Sequence, residues 1–153
     1  MKRLPLLFIL TLLVSCGNRT VLDETHQFDN NCWLRFEPEV FQADINNTER
    51  GHLITLSLTF DTSILTSAEL PLVVDFFADS NELHNFAPSI RLRNRKGELR
   101  GETVANFCTV TDTIDRFRTY NQRDTYTYRI KQRTSKYEIY GVSSINLRIE
   151  ELR

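Results

Sequence analysis

Hydrophobic and polar residues alternate along much of the chain, and this period of two predicts β-strands. Residues 52–60 show it most clearly, with isoleucine, leucine and phenylalanine at every second position and threonine or serine between them. Residues 126–131 and 145–150 repeat the pattern. Since successive side chains of a strand point to opposite faces, each segment is predicted to be a half-buried strand.

Several less regular segments complete the expected fold. Residues 72–78 are almost continuously apolar, which predicts a central strand covered on both faces. Pro38 predicts an edge or a bulge, and Gly97 predicts a turn. We expect weaker strands at 21–28, 33–45, 89–93 and 103–110, and a short helix or 3₁₀ turn around 111–120. Seven to nine strands indicate one all-β domain over residues 21–153, an antiparallel β-sandwich that is immunoglobulin-like or jelly-roll-like.

The N-terminus has the composition of an export signal. Lys2 and Arg3 precede an apolar run at residues 4–14, which is too short to span a bilayer as a helix. Residues 13–16, Leu-Val-Ser-Cys, resemble the lipobox of bacterial lipoproteins. We therefore expect residues 1–15 to be a cleaved signal peptide, Cys16 to be lipidated, and residues 16–20 to hold the lipidated cysteine and a short tether.

Lipidation predicts that the bilayer is a partner of the domain. Each buried methylene contributes about 0.8 kcal/mol, so two or three acyl chains hold a protein firmly at a membrane surface. Removal of Lys2 and Arg3 leaves 17 of the 19 basic residues against 20 acidic ones, a net charge near −3. This balance does not favour nucleic acid as a partner.

Two further cysteines, Cys32 and Cys108, would remain in an oxidising compartment. A disulfide between them would close a loop of about 77 residues and stabilise the fold by roughly 4 kcal/mol on the chain-entropy model. Two separate buried thiols are the equal alternative, because the distance between the residues cannot be read from sequence.

The sequence predicts no catalytic, metal or cofactor site, so we expect a protein that is not an enzyme. His26, His52 and His84 are isolated from one another and do not form a metal-binding motif. Paired carboxylates at Glu37 and Glu39, or at Asp112 and Asp115, are more typical of solvated loops than of glycoside hydrolysis.

Two features are candidates for modification or contact. Residues 112–114, Asp-Thr-Ile, resemble an acceptor for O-glycosylation of exported proteins, with Thr113 as the modified residue. Tyr137 and Tyr140 precede the last predicted strand, where they are candidates for contact with a protein partner. Tyr126 and Tyr128 alternate with polar residues and are predicted to lie in the core.

Several segments together resemble the gliding-motility lipoprotein family GldH of Bacteroidetes. The residues that carry the resemblance are Cys-Trp-Leu-Arg-Phe-Glu-Pro at 32–38, Leu-Pro-Leu at 70–72, the turn at 97–101, Tyr-Thr-Tyr-Arg-Ile-Lys-Gln at 126–132 and residues 141–150. The resemblance implies an envelope lipoprotein needed for gliding, linked to type IX secretion and acting through other envelope proteins. It implies no catalytic residues.

Location and mode of action follow as expectations. Surface-exposed lipoproteins of this phylum resemble one another in carrying acidic residues after the lipidated cysteine. Residues 17–20, Gly-Asn-Arg-Thr, lack them, so we expect an outer-membrane anchor with the domain facing the periplasm. The alternative function is a carbohydrate- or small-ligand-binding lipoprotein. An exposed row of aromatic residues beside a cleft would favour that alternative, whereas a flat apolar edge or patch would favour protein contacts.

Overall fold

The computed structural model describes residues 19–78 and 81–153. These residues form twelve strands and one short 3₁₀ turn at Asp29–Asn31. The strands are β1 (Arg19–Gln27), β2 (Cys32–Leu34), β3 (Glu39–Ile45), β4 (His52–Asp61), β5 (Glu69–Ala78), β6 (Asn81–Phe86), β7 (Ser89–Arg91), β8 (Glu102–Val104), β9 (Phe107–Arg118), β10 (Asp124–Gln132), β11 (Glu138–Tyr140) and β12 (Val142–Glu151).

The strands pair antiparallel in two large sheets and one small sheet. The first large sheet has the order β1-β12-β4-β9-β8. The second has the order β3-β10-β5-β6, and β7 pairs with the start of β5. The small sheet pairs β11 with β2. This architecture confirms the all-β prediction and is consistent with a β-sandwich.

The core is built from the apolar face of each long strand. Alternation places Ile54, Leu56, Leu58 and Phe60 of β4 in the interior with at most 1 % of their surface exposed. Tyr126, Tyr128 and Ile130 of β10 are buried as predicted, and so are Ile145, Leu147 and Ile149 of β12. Burial of these side chains, at about 25 cal/mol per Å² of apolar surface, is the main favourable contribution to folding.

One sequence prediction was wrong, because residues 111–120 form no helix. Residues up to Arg118 continue β9. The pairing of β9 with β4 is irregular between His52 and Ile54 and again between Ile54 and Thr55. Bulges place extra residues on one strand and break the period of two. Residues 111–118 therefore do not show the regular alternation that identifies a strand.

Two other predicted segments differ from the structure in detail. The segment 33–45 divides at Pro38 into β2 and the edge strand β3, because proline cannot donate a ladder hydrogen bond. β5 is central in its sheet, but its second face is only partly covered. Val73 and Phe77 are half-buried, and Lys131 reaches across to Asp75 at 2.6 Å.

The predicted signal peptide at residues 1–15 and the lipidation site Cys16 lie outside the described residues. β1 begins at Arg19, so the last two residues of the predicted tether belong to the folded domain. In the part of the chain that the structure describes, no helix has the length and apolar character needed to cross a membrane.

The structure holds Cys32 and Cys108 as free thiols and does not contain the bridge between them. Cys32 is next to Trp33 on β2. Trp33 is fully buried in the core, and alternation turns Cys32 the opposite way. Cys108 lies on β9 opposite Phe60 and is fully buried. One thiol therefore faces away from the core while the other faces into it.

Candidate partner-binding groove

The small sheet is fixed to the sandwich by one face. Trp33 of β2 and Ile139 of β11 are paired in register, and both are buried, with 0 % and 4 % of their surface exposed. The backbone N–H of Arg35 donates to the carbonyl of Tyr137 at 2.8 Å, and that of Gly141 donates to Asn31 at 2.8 Å. The buried side chains of Trp33 and Ile139, together with the backbone hydrogen bonds to β2, hold β11 at the surface of the sandwich.

A groove of about 970 Å³ lies beside β11 and is formed by residues 64–67, 69–70 and 134–140. Its floor includes the buried side chains of Leu65, Leu70 and Ile139. Its rim includes three large apolar side chains that remain more than half exposed, at 55–57 % each: Ile64, Tyr137 and Tyr140. We call this cavity the β11 groove. Both tyrosines predicted as contact residues therefore line the same cavity.

One wall of the β11 groove is held in place by Gln132. This side chain is only 3 % exposed. Its amide nitrogen donates to the carbonyl of Lys136 at 3.1 Å, and its amide oxygen accepts from the backbone and hydroxyl of Thr134 at 2.9 and 2.7 Å. Because buried polar groups are costly to leave unpaired, these bonds fix the loop at 134–136. The groove wall is thus preorganised.

The aromatic rim extends beyond the groove. Phe36, which is 73 % exposed, packs against Tyr137 with ring centroids 5.8 Å apart. The guanidinium of Arg35 lies 5.8 Å from the Phe36 centroid. Exposed aromatic and arginine side chains are the types that contribute most at protein interfaces.

Tyr140 is oriented by its neighbour on β11. The Tyr140 hydroxyl donates a hydrogen bond to the carboxylate of Glu138. This bond, together with the negative charge of Glu138, raises the pKa of Tyr140. The tyrosine therefore stays a neutral donor, and its ring is held at the groove.

An acidic cavity of about 430 Å³ borders the small sheet on its other side. Its lining residues among those described include four carboxylates and no lysine or arginine; the carboxylates are Asp29, Glu37, Glu39 and Glu138. The thiol of Cys32 lies here. Burial, followed by the charges of Glu138 and Glu37, raises the pKa of this thiol. The lining of this cavity is therefore acidic, with Glu39 paired to His26 at 2.6 Å.

The structure places the remaining candidate, Thr113, away from the β11 groove. Thr113 is exposed on β9, paired with Thr55. Its neighbour Asp112 is held by Arg100 at 3.0 Å and by the backbone N–H of Arg91 at 2.9 Å. Glycosylation of Thr113 stays a prediction.

The three histidines have different environments. His26 lies between Glu39 at 2.6 Å and Glu24 at 2.9 Å. Burial lowers the pKa of His26, but hydrogen bonds and charges from both glutamates outweigh it and leave the pKa raised. His52 is buried, which lowers its pKa, and His84 is exposed. Among the described residues, no three His, Cys, Asp or Glu side chains form a group that could hold a metal ion.

Sequence reasoning missed part of the groove. Ile64 and Lys136 lie in loops, and Glu138 starts a three-residue strand that was not predicted. Two signals were present: the apolar pair Ile64 and Leu65 in the polar stretch after β4, and two tyrosines flanking Glu-Ile in a segment without helical periodicity.

Comparisons with known proteins give one result on identity. The model of the family described as GldH lipoprotein matches residues 20–149, which is most of the chain and nearly all of the described domain. Comparison with curated proteins finds no match.

Proposed function

Because the chain belongs to the GldH lipoprotein family of lipid-anchored envelope proteins, we propose that it is a non-enzymatic component of the gliding-motility machinery. In this role it is associated with type IX secretion and acts through protein–protein contacts. The observation that carries the proposal is the exposed apolar patch of Ile64, Tyr137 and Tyr140, which is held on a preorganised scaffold beside β11.

The anchor is the first part of the proposal. Lipidation of Cys16 would hold the domain at the outer membrane, and residues 17–20 favour the periplasmic face because they lack acidic side chains. Labelled palmitate should enter the wild-type protein and not Cys16→Ser. Equal labelling, or no labelling of either protein, would contradict the anchor.

Protein contact is the second part. Exposed large side chains lie on the rim of the groove at Ile64, Tyr137 and Tyr140, and Phe36 extends this surface through its contact with Tyr137. Exposure of such an apolar surface to water is unfavourable. A partner that covers it removes apolar area from solvent, which favours binding. Glu138 and Lys136 supply polar groups at the margin. This arrangement of apolar centre and polar margin is typical of interfaces.

A second candidate function is recognition of a carbohydrate or another small ligand. The observation that favours it is the cleft itself, since exposed aromatic rings beside a concave surface are what sugar binding uses. Tyr137 packs against Phe36, however, and the carboxylate of Glu138 already accepts from Tyr140. Both contacts reduce the groups free to stack on or bond a sugar.

Crosslinking in living cells distinguishes the two functions. A photoreactive phenylalanine analogue replaces Tyr137 in the lipidated protein, and the matched control carries it at Val104, which is 78 % exposed on β8. We expect the Tyr137 position to crosslink to proteins of the gliding or secretion apparatus, identified by mass spectrometry, and the Val104 position not to.

Two outcomes would contradict the proposed function. The first is recovery of no apparatus protein from the Tyr137 position while the purified protein retains a glycan on an array. The second is identical crosslinks from Tyr137 and Val104, which would show that the groove has no selectivity.

A further inference from the structure

The edge of β11 that faces away from β2 carries unpaired backbone groups. In the β2–β11 ladder, Tyr137 and Gly141 are hydrogen-bonded to Arg35 and Asn31. Antiparallel strands alternate bonded and non-bonded pairs, so Ile139 is the bonded residue between them. The N–H and C=O groups of Glu138 and Tyr140 therefore point away from β2. Within residues 19–78 and 81–153, no strand pairs with that edge.

The free edge borders the β11 groove. Described residues that line the groove come from 64–67, 69–70 and 134–140, and none of them belongs to β2. An exposed edge is a template for another strand, and natural proteins use such edges to bind extended peptides. Leu65 and Leu70 form part of the floor, so the groove offers backbone partners along the β11 edge and apolar surface next to it.

The two faces of β11 differ in chemistry. Ile139 points to the buried side. Glu138 and Tyr140 point to the opposite side and also line the acidic cavity. In the described residues, no ion pair neutralises Asp29, Glu37 or Glu138. Residues of an added strand would point to the same face as the β11 residue beside them. Charge complementarity thus favours basic side chains beside Glu138 and apolar ones beside Ile139.

We propose that β11 binds an extended segment of a protein partner as an added strand, with apolar residues alternating with lysine or arginine. The apolar residues of that segment pack toward Leu65 and Leu70, and its basic residues lie beside Glu138 and Tyr140. This inference rests on the proposed function, because it assigns a partner chemistry to the same groove.

The probe is a capped heptapeptide with valine at odd positions and lysine at even positions, and the control peptide has glutamate in place of lysine. Amide hydrogen exchange of the full chain in detergent is followed by NMR with each peptide. We expect the lysine peptide to slow exchange of the Glu138 and Tyr140 amides about tenfold or more, since they gain acceptors. The Ile139 amide, already bonded to β2, should change little.

A charge exchange tests the predicted face. Glu138→Lys should weaken binding of the lysine peptide and strengthen binding of the glutamate peptide. Glu102→Lys on β8 is the matched control, because Glu102 is exposed and does not line the groove. We expect it to leave both affinities within about twofold.

Three outcomes would overturn the inference: no binding of the lysine peptide at millimolar concentration, binding without protection of the Glu138 and Tyr140 amides, or protection of both amides without peptide because two copies of the chain pair through β11. The last is recognised by a dimer in sedimentation. If any of these occurs while Tyr137 still crosslinks to the apparatus in cells, strand addition is wrong and the proposed function stands.

Discussion

The sandwich and the small sheet use the same alternation of side chains with different results. In the sandwich, the outward face of β4 carries hydroxyls that pair across strands: Ser57 with Thr111 at 2.6 Å, and Thr59 with Thr109 at 2.9 Å. In the small sheet, the face turned from the core carries Tyr140 and Glu138. Hydroxyls that are hydrogen-bonded to one another can face water without a further partner. An exposed aromatic ring beside a carboxylate is instead suited to contact with another protein.

Two edge strands of the sandwich also differ from β11 of the small sheet, because those two are joined to each other. β1 and β3 are edge strands of the two large sheets, and His26 of β1 with Glu39 of β3 joins them through a hydrogen bond of 2.6 Å. His26 also stacks on Phe41, with centroids 4.1 Å apart. β11 has no such cover on its groove side among the described residues. The molecule therefore closes the edge at β1 and β3 and leaves the groove-side edge of β11 available among the described residues.

The largest expected effect is loss of the side chain that joins the two regions. Trp33→Ala should lower the free energy of unfolding by about 3–5 kcal/mol, because it leaves a cavity where a fully buried indole contacts the core. Urea denaturation followed by circular dichroism measures it, since the chain has one tryptophan and fluorescence would be lost.

Phe36→Ala is the control for Trp33→Ala, as Phe36 is 73 % exposed in the same segment. We expect it to stay within about 0.5 kcal/mol of wild type. Equal effects of the two variants would show that the small sheet is not anchored through Trp33.

The strands of the sandwich could be predicted from the sequence better than those of the small sheet. Long strands such as β4 and β12 were predictable because burial on one face enforces a period of two. β2 and β11 have three residues each, too few to show any period, and their position depends on pairing between residues about a hundred apart in the chain. Tyr137 and Tyr140 were predicted as contacts from their type, but their groove depends on a tertiary pairing.

A smaller effect is expected from glycine at the junction of the two regions. Gly141 has φ +89° and follows β11, where an added Cβ would lie 2.9 Å from the Cβ of Ile64. Gly97 has φ +83°, and nothing lies within 4 Å of its Cβ position. Alanine at either position should lower the free energy of unfolding by about 1–2 kcal/mol, because a residue with a Cβ is strained in the left-handed backbone conformation.

Gly141→Ala should lower the free energy of unfolding more than Gly97→Ala does, because Ile64 at the rim of the groove must also move away from the added Cβ. The two midpoints of thermal unfolding, measured side by side, check this order. A Gly97→Ala variant that is the less stable of the two would show that contact at Ile64 has no cost.

The closed edge should depend on pH. The pKa of His26 is raised in the folded state, so its stabilisation is present below the unfolded pKa near 6.5 and is lost as pH rises through the folded pKa. The pKa of His52 is lowered, so His52 acts in the opposite direction. We expect His26→Gln to destabilise the protein at pH 5.5 by up to about 1 kcal/mol, and by less at pH 8.5.

The difference between wild type and His26→Gln in urea at the two pH values isolates His26, because His52 titrates in both proteins. His84→Gln is the control on an exposed strand residue. A His26→Gln effect that grows as pH rises would contradict the assigned direction.

The smallest effect on stability should come with the largest effect on function. A double variant, Tyr137→Ala with Tyr140→Ala, removes two rings that are 56 % and 57 % exposed, so its free energy of unfolding should stay within about 0.5 kcal/mol of wild type. Crosslinking to the apparatus from position 64, within the same groove, should nevertheless fall to background, because aromatic side chains at an interface carry much of its binding energy. Phe117→Ala, which removes a ring that is 64 % exposed on β9, should leave both stability and crosslinking unchanged. Loss of stability in the double variant would assign the two tyrosines to the fold, and full crosslinking would assign the contact to another surface.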